Sequence, residues 1–344
     1  MSATARADAP LRISFAGGGT DFPHYFEHHG GAVLSATIDH CARVTATRRP
    51  DRVVTIRSPD LDHHVRYHRE SGPRFDGIMD LAKAAIERFG AELAVDLDVE
   101  TDAPPGSGLG GSSALVTACV GALAALEGRP MSAFDVARLS YAIEREDLGI
   151  AGGWQDQFAA AFGGFNLLEF SAGGVAVTPL ALEEDAVAEL RAHLLLCFTG
   201  QVRTDLGLID GQIRLYAEGR EETIIGMKQL HEIAYEMRDA LVSGAFGSLG
   251  ALLREAYASK KRMNPRVADG TPIERLLEAA QEAGAAGGKI CGAGGGGYVL
   301  VACEPARREV VASALEAHGG RITEFAFRGD GVRAHTDTDT WRPS

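Results

Sequence analysis

The sequence predicts an α+β protein of two domains, the first of which is built on a largely antiparallel sheet. Three observations support this fold class. The chain has 344 residues, more than one domain usually holds. Segment 93–100 alternates apolar residues with Asp96, Asp98 and Glu100, as expected for a strand with one solvated face. Segment 182–193 is helical and acidic, so we place the boundary there, between residues 1–185 and 186–344.

The elements of the first domain follow from the spacing of apolar residues. The predicted strands are 11–16, 32–39, 41–48, 53–57, 63–67, 93–99 and 165–170. The predicted helices are 77–89, 112–127, 133–147 and 154–162. Strands 53–57 and 63–67 form a hairpin across Ser58-Pro59-Asp60, and Ser132 and Asp135 have the spacing of a capping box.

The second domain is richer in helices, and the chain contains no internal repeat. Its predicted strands are 193–199, 297–303 and 321–327. Its predicted helices are 205–216, 220–242, 246–257, 272–284 and 305–318.

Composition and charge exclude several classes of function. The net charge is −13 and the longest basic run is Lys260-Lys261-Arg262, so we expect no binding to nucleic acid or to an anionic membrane. Five scattered cysteines predict buried free thiols. The first nine residues lack an apolar signal core, and the longest apolar stretch, 114–126, is too short to span a bilayer. We therefore expect a cytoplasmic protein.

Glycine is the most informative residue type, at 42 of 344 residues. Many of the glycines fall in four short clusters, at 17–19 with 30–31, 106–111, 152–164 and 284–297. Clustered glycines between ordinary segments indicate backbone that approaches something closely, such as a phosphate.

The second cluster has two familiar interpretations, and both fit poorly. Gly106-Ser-Gly-Leu-Gly-Gly111 satisfies the dinucleotide fingerprint, with Glu127 about 20 residues further on, so an oxidoreductase must be considered. However, the preceding strand alternates with carboxylates and a second helix follows the first, so no βαβ unit forms. A Walker A loop would need a lysine before Ser112, and none is present.

What remains is a lysine-free glycine loop that opens a helix with two hydroxyl groups. Its backbone amides can cradle phosphate oxygens, and a serine hydroxyl can join the shell of a Mg²⁺ ion. A turn followed by a serine N-cap explains the same residues. The loop alone does not decide between these interpretations.

Together with two further motifs, this loop resembles the GHMP kinase superfamily. Pro105-x-Gly-x-Gly-Leu-Gly-x-Ser-Ser is similar to the family's phosphate loop, Arg12 to Asp21 to its first motif and Lys289 to Gly297 to its third. The resemblance implies a first domain like domain 2 of ribosomal protein S5 and a ferredoxin-like second domain. It also implies ATP as a substrate, with Mg²⁺. The implied nucleotide-binding residues are Pro105, Gly106, Ser107, Gly108, Leu109, Gly110, Gly111, Ser112 and Ser113.

The resemblance also implies the catalytic and metal-binding residues. Ser112, with Ser113 as the alternative, and Glu144, with Glu146 as the alternative, would hold Mg²⁺. Asp156 follows Glu146 at the family's spacing of ten residues and would activate the acceptor hydroxyl, with Arg12 beside it. A solvated charge run at 144–147 and an ordinary first-turn helix acid at 156 are the structural alternatives.

The acceptor site departs from the galactokinase pattern, in which an acid and a histidine stand at positions 18 and 19. Here the residues are Gly17, Gly18, Gly19, Thr20 and Asp21, and with Gly294 and Gly295 of the third motif they are the implied substrate-binding residues. This variant resembles the branch that contains D-glycero-D-manno-heptose 7-phosphate kinase and the kinase part of fucokinase/GDP-fucose pyrophosphorylase.

The implied reaction is phosphorylation of the anomeric C1 hydroxyl of heptose 7-phosphate, a small-molecule sugar phosphate. The alternatives are a fucokinase, galactokinase or other family member acting on an unphosphorylated sugar, and a catalytically silent sugar–ATP sensor. Arg43, Arg203 and Lys261 are candidate anchors for the 7-phosphate. The sequence carries no prediction of the oligomeric state.

Overall fold

The structure is a computed structural model that describes residues 3–202, 207–269 and 271–337. Within these residues the strands are β1 Thr4–Ala16, β2 Gly31–Arg48, β3 Val53–Ser58, β4 His63–His68, β5 Val95–Thr101, β6 Phe165–Ser171, β7 Gly174–Pro179, β8 Leu194–Phe198, β9 Gly287–Ile290, β10 Tyr298–Ala302, β11 Arg321–Thr323 and β12 Arg333–Thr336. The α-helices are α1 Pro23–His29, α2 Asp80–Arg88, α3 Gly111–Leu126, α4 Ala133–Tyr141, α5 Gln155–Phe162, α6 Glu184–Ala192, α7 Gly207–Ala217, α8 Glu221–Ser243, α9 Leu249–Met263, α10 Ile273–Glu282 and α11 Arg308–Ala317.

The first sheet is organised around one long strand, β2. Its strands run in the order β12-β1-β2-β5-β3-β4, and β6 pairs with β2 and carries β7. The sequence predicted two strands here, at 32–39 and 41–48, and this is wrong. One edge of β2 pairs with β1 along most of its length, while the other edge pairs first with β6 and then with β5. The pairing with β1 shifts register around residues 38–40, but the strand continues through them, and Ile38 there bridges Phe327.

The solvated face predicted for the first sheet is confirmed on β5. Asp96 pairs with Arg49, and Asp98 pairs with Arg57 on the neighbouring strand. The strand pairs are antiparallel except for β3 with β5. On the other face, the largely buried helix α3 packs against β1 and β2, and α2, α4 and α5 surround it. The predicted α+β class is thereby confirmed.

A second, antiparallel sheet has the order β11-β8-β10-β9. Strand β9 was not predicted, because its four residues include two glycines and lie inside the fourth glycine cluster. Helices α8 and α9 pack against each other and extend to the first sheet. The two sheets are thus joined by a helical layer as well as by loops.

The C-terminal segment returns to the first sheet. Strand β11 ends at Thr323, earlier than the predicted 321–327, and Phe327 already bridges to Ile38 of β2. Strand β12, which was not predicted, pairs with β1. The predicted second domain, 186–344, therefore includes residues 327–336, although the backbone hydrogen bonds of these residues belong to the first sheet.

The cysteines and the helices of the structure bear on two of the predictions. All five cysteines are free and buried, as predicted. Of the helices within the described residues, none has the length and apolar character needed to cross a bilayer.

Candidate active site

One cavity brings the three predicted motifs together. Residues 17–19 and Asp21 line it from the first motif, and loop 106–113, apart from Leu109, lines it from the second. Gly292 and Ala293 reach it from the third motif. The wall is completed by residues 150–153, 155 and 156 and by helices α7, α8 and α9.

Arg12 connects Asp156 to the phosphate loop. Its Nε lies 2.8 Å and its Nη2 2.7 Å from Oδ1 of Asp156, while Nη1 donates to the carbonyl oxygen of Gly108 at 2.6 Å. The Arg12 side chain is 4% exposed and that of Asp156 is 22% exposed. A rigid guanidinium fork suits this role, because it can hold two acceptors at fixed angles. Asp156 is therefore fixed relative to the loop and open to the cavity.

Asp21 joins the first motif to the helix that carries Asp156. Its carboxylate accepts hydrogen bonds from the backbone amides of Gly19 at 3.0 Å and Gln155 at 3.1 Å. A Cβ at Gly153 would collide with this carboxylate, so the third glycine cluster makes room for it. Burial raises the pKa of Asp21, and the two amides oppose this rise. The nearby charge of Asp156 raises it further.

Glu144 is carried by a π-helical turn. The predicted helix 133–147 ends at Tyr141, and residues Ala142–Asp147 form the wider turn that often marks functional sites. The turn buries Glu144 to 2% exposure. Its Oε2 accepts hydrogen bonds from Ser113 Oγ at 2.7 Å and Gln157 Nε2 at 2.6 Å.

The structure favours Ser113 over Ser112 as the partner of Glu144. Both serines line the cavity, but Ser113 is buried beside the carboxylate while Ser112 is exposed. The sequence placed Ser112 first as a metal ligand by counting residues after Gly110, a count that carries no information on which way each hydroxyl faces around the helix. The alternative carboxylate, Glu146, is exposed and lies outside the cavity.

The pair of Ser113 and Glu144 fits a magnesium ion. Two adjacent oxygens of an octahedral Mg²⁺ shell lie about 2.9 Å apart, close to the 2.7 Å observed here. The described residues contain no cluster of three or more His, Cys, Asp or Glu side chains suited to a metal. A cation held here would therefore complete its shell with water and phosphate oxygens, as Mg²⁺ commonly does.

The phosphate loop presents an uncapped helix N-terminus to the cavity. Helix α3 begins after Gly110, and within the described residues no side chain caps it, so the interpretation as a serine N-cap is wrong. The first amides of α3 are free to bind an anion. Leu109 is fully buried in the core, and Pro105 does not line the cavity, so neither predicted contact has a side chain there.

The third motif supports the phosphate loop from behind. Gly108 has φ +83°, and a Cβ there would lie 2.6 Å from the carbonyl oxygen of Cys291. The amide of Tyr298 donates to the carbonyl of Ser107 at 3.0 Å. The glycines on both sides let two backbone loops touch directly.

Three residues predicted to bind substrate have other contacts. Thr20 is fully buried and its hydroxyl donates to the Gly17 carbonyl at 2.8 Å, which shapes the loop. Gly294 and Gly295 do not line the cavity. The third motif turns away after Ala293, and the Gly295 amide donates to the carbonyl of Val267 at 2.8 Å.

Two buried lysines line the cavity and were not predicted. Lys289 Nζ donates to the carbonyl oxygen of Ser14 at 2.6 Å. Burial lowers the pKa of Lys289 to about 8 and that of Lys260 to about 7. The burial of Lys260 has a signal in the sequence: the residue lies at helical spacing from Ala256 and Met263, on the buried stripe of α9.

The candidate anchors for a sugar phosphate do not converge. Arg43 forms a two-pronged ion pair with Asp102, and Lys261 pairs with Glu274 at 2.9 Å; neither lines the cavity. Arg203 lies outside the described residues.

The fold and this cavity define a class of protein, a phosphotransferase with a glycine-rich phosphate loop and an aspartate beside it. Comparison with known families agrees. Residues 78–164 match the GHMP kinases N terminal domain, and residues 237–321 match the GHMP kinases C terminal model. The chain belongs to the GHMP kinase family and is a sugar-phosphate kinase.

The similar proteins cover nearly the whole chain. The D-glycero-alpha-D-manno-heptose 7-phosphate kinase of Campylobacter jejuni is 35% identical over 96% of this chain and 98% of its own. A crystal structure of a D-glycero-D-manno-heptose 1-phosphate kinase from Bacteroides thetaiotaomicron has a TM-score of 0.79 and 32% identity, covering 99% of both chains. The bifunctional fucokinase/GDP-fucose pyrophosphorylase of Arabidopsis thaliana is 27% identical over 91% of this chain but only 31% of its own.

Proposed function

We propose that the protein transfers the γ-phosphoryl group of ATP to the anomeric C1 hydroxyl of D-glycero-D-manno-heptose 7-phosphate, giving the 1,7-bisphosphate. The observation that carries this proposal is the position of Asp156. Its carboxylate opens into the cavity lined by the phosphate loop, and Arg12 binds both. The acceptor is proposed from the 35% identity to a heptose 7-phosphate kinase over nearly the full length of both chains.

Asp156 acts as the general base in this proposal. It lies in the first turn of α5 and accepts two hydrogen bonds from Arg12, which leaves its second oxygen for the acceptor hydroxyl. The proton of the C1 hydroxyl would move to this oxygen as the phosphoryl group is transferred. Arg12 adds positive charge near the oxygen that becomes negative during the reaction.

The phosphates of ATP would lie against loop 106–113. The free amides at the start of α3 and the flexible backbone at Gly106, Gly108 and Gly110 can follow the phosphate oxygens closely. Ser112, exposed at the cavity, would add a hydroxyl contact.

Ser113 and Glu144 would hold Mg²⁺ beside these phosphates. The ion supplies positive charge to the transferred phosphoryl group. Gln157 keeps the carboxylate in place through its hydrogen bond to Oε2. An acidic protein that binds ATP needs this local compensation, because its net charge of −13 repels anions.

The sugar would lie over residues 17–19. A Cβ at Gly18 would be in ordinary van der Waals contact with the side chains of Gln155 and Ser14, the nearest atom being 3.4 Å away, so a side chain larger than the glycine hydrogen would narrow the floor of the site there. Asp21 is held beside this floor and offers acceptor oxygens to sugar hydroxyls. The product, a sugar 1-phosphate, has the chemistry required for activation to a nucleotide sugar.

A panel of acceptors tests the proposal. ADP release is measured with ATP, Mg²⁺ and, in turn, heptose 7-phosphate, fucose, galactose and mannose. The proposal predicts release with heptose 7-phosphate at far lower concentration than with any unphosphorylated sugar. Turnover on fucose or galactose alone would replace it with the corresponding kinase, and no turnover on any sugar would indicate a binding protein without catalysis.

A further inference from the structure

Lys260 is a buried cation that faces the active-site cavity without a partner. It lies on α9 at 7% exposure and lines the cavity. Among the described residues, no hydrogen bond or ion pair is formed by its ammonium group. Burial of an unpaired charge is costly, so such a group is usually paired or binds a ligand.

The other cations of the cavity are already engaged. Arg12 pairs with Asp156, and Arg145 lies 3.4 Å from Glu144. Lys289 donates to the carbonyl of Ser14. Lys260 is therefore the lining cation available to a ligand within the part of the chain that the structure describes.

Lys260 belongs to the acceptor side of the cavity. Met263, one turn further along α9, contacts Gly19, where a Cβ would lie 2.9 Å from the methionine sulfur. The charges that act on Lys260 include those of Lys289, Arg12 and Asp21, and Asp21 ends the same loop as Gly19. Ser113 and Glu144, by contrast, come from α3 and the π-helical turn and serve the nucleotide side.

The charges of the lining residues favour an anion here. The charge of Arg12 balances that of Asp156, and the charge of Arg145 balances that of Glu144. The remaining charged groups of the lining are the carboxylate of Asp21 and the ammonium groups of Lys260 and Lys289. The cavity thus carries one positive charge in excess when both lysines are protonated, in a protein of net charge −13. This local excess suits an anionic ligand.

We infer that Lys260 binds the phosphate group that the acceptor already carries, and so selects phosphorylated over unphosphorylated sugars. The inference rests on the proposed function for the identity of the acceptor. Lys260 thereby takes the role of phosphate anchor for which the sequence suggested Arg43 and Lys261, which have partners outside the cavity. A single ammonium on a buried helix face would read the charge of the phosphate, and hydroxyl contacts would be left to residues 17–21.

The substitution Lys260→Met tests this assignment, with Lys261→Met as the matched control. Loss of one charge-assisted hydrogen bond predicts a rise in KM for heptose 7-phosphate of about 10- to 100-fold, with KM for ATP unchanged. KM for the unphosphorylated heptose should stay constant, so discrimination between the two acceptors falls. Lys261→Met should leave all constants unchanged, because Lys261 lies outside the cavity.

The pH dependence adds a readout that a purely structural lysine would not affect. Burial is the main cause that lowers the pKa of Lys260 to about 7. The charges of Lys289 and Arg12 lower it further, whereas those of Asp21 and Cys291 raise it. KM for heptose 7-phosphate should therefore rise as the pH increases above 7, because the free lysine loses its proton. In Lys260→Arg the guanidinium stays charged, so binding should be retained and the rise should disappear.

A binding experiment with inorganic phosphate separates this inference from the proposed function. Phosphate is titrated calorimetrically into wild type and Lys260→Met with a non-hydrolysable ATP analogue saturating the nucleotide site. The inference predicts binding that is weakened in Lys260→Met and kept in Lys260→Arg.

If wild type acts only on an unphosphorylated sugar yet binds phosphate through Lys260, the proposed acceptor is wrong and the anion site stands. If heptose 7-phosphate is the acceptor and Lys260→Met changes neither its KM nor phosphate binding, the inference fails and the proposed function stands. A fall in kcat that is equal for both acceptors, at constant KM, would also overturn it.

Discussion

Arg12 binds Asp156 through Nε and Nη2 and the Gly108 carbonyl through Nη1, so one guanidinium fixes the distance between the acidic residue and the phosphate loop. The backbone amide of Arg12 also donates to the carbonyl of Leu109 at 2.9 Å. Strand β1 and the loop before α3 therefore form one unit. This unit holds Asp156 at a fixed distance from the phosphate loop, which contains no lysine.

The first prediction concerns the base. Asp156→Asn keeps the size of the side chain but cannot take a proton, so kcat for ADP release should fall by about 10²- to 10⁴-fold. ATP affinity, measured calorimetrically, should stay within a factor of about three because Asp156 is not part of the loop. Glu146→Gln is the control, since this acid is exposed and should retain full activity. Undiminished turnover in Asp156→Asn would remove the residue from the mechanism.

The second prediction distinguishes the two serines. Ser113→Ala removes the hydroxyl that contacts Glu144 and should raise the Mg²⁺ concentration for half-maximal activity by about tenfold or more. Ser112→Ala should shift it much less, because that hydroxyl is exposed in the cavity, whereas the Ser113 hydroxyl is buried beside Glu144. The measurement is an activity titration with Mg²⁺ at fixed ATP. The reverse order of effects would return the metal site to Ser112.

The third prediction tests the contact between the glycine loops. Gly108→Ala places a methyl group 2.6 Å from the Cys291 carbonyl and requires φ +83°, so it should destabilise the fold by about 1–3 kcal/mol and raise KM for ATP. Gly111→Ala has nothing within 4 Å of its new methyl group and should be neutral or slightly stabilising. Urea unfolding and ATP titration check both variants. Equal stability of the two would contradict the packing described for Gly108.

The fourth prediction concerns stability and pH. The pKa of Lys260 is lowered from 10.5 to about 7 in the folded protein, mainly by burial. Between these values the unfolded chain holds a proton that the native state has lost, so this lysine makes the free energy of unfolding rise with pH, by up to about 1.4 kcal/mol per unit. Lys260→Met removes this contribution and should flatten the rise between pH 7 and 10, whereas Lys261→Met should not. Urea unfolding at several pH values measures the slope; identical slopes in wild type and Lys260→Met would show that Lys260 keeps its proton when folded.

The sequence predicted correctly those features that are formed by residues close together along the chain. The hairpin of β3 and β4 and the capping box at Ser132 were predicted and are present. Strand β2 was split in the prediction because the exposed Asp39 and the partly exposed His40 interrupt its apolar pattern. Periodicity cannot reveal that β1 pairs with β2 on both sides of this interruption. Strand β12 is short and polar, so only its pairing with β1 defines it.

In the candidate site, too, some features could be predicted from the sequence and others could not. Arg12, Asp156 and Glu144 were predicted together because motif spacing fixes their order along the chain, and all three line one cavity. The choice between Ser112 and Ser113 depends on rotation around α3, and the choice of Ala293 over Gly294 depends on where a loop turns; neither is encoded in spacing. Lys260 was missed because its run with Lys261 looks like a solvated surface, although its position on the buried stripe of α9 distinguished it.

The most direct test of the central claim is a ³¹P NMR experiment on the product formed from ATP, Mg²⁺ and D-glycero-D-manno-heptose 7-phosphate. We expect a new phosphomonoester signal coupled to the anomeric proton, with the 7-phosphate signal retained and one ADP formed for each product molecule. The same spectrum without a C1 signal, accompanied by turnover on an unphosphorylated sugar, would contradict it.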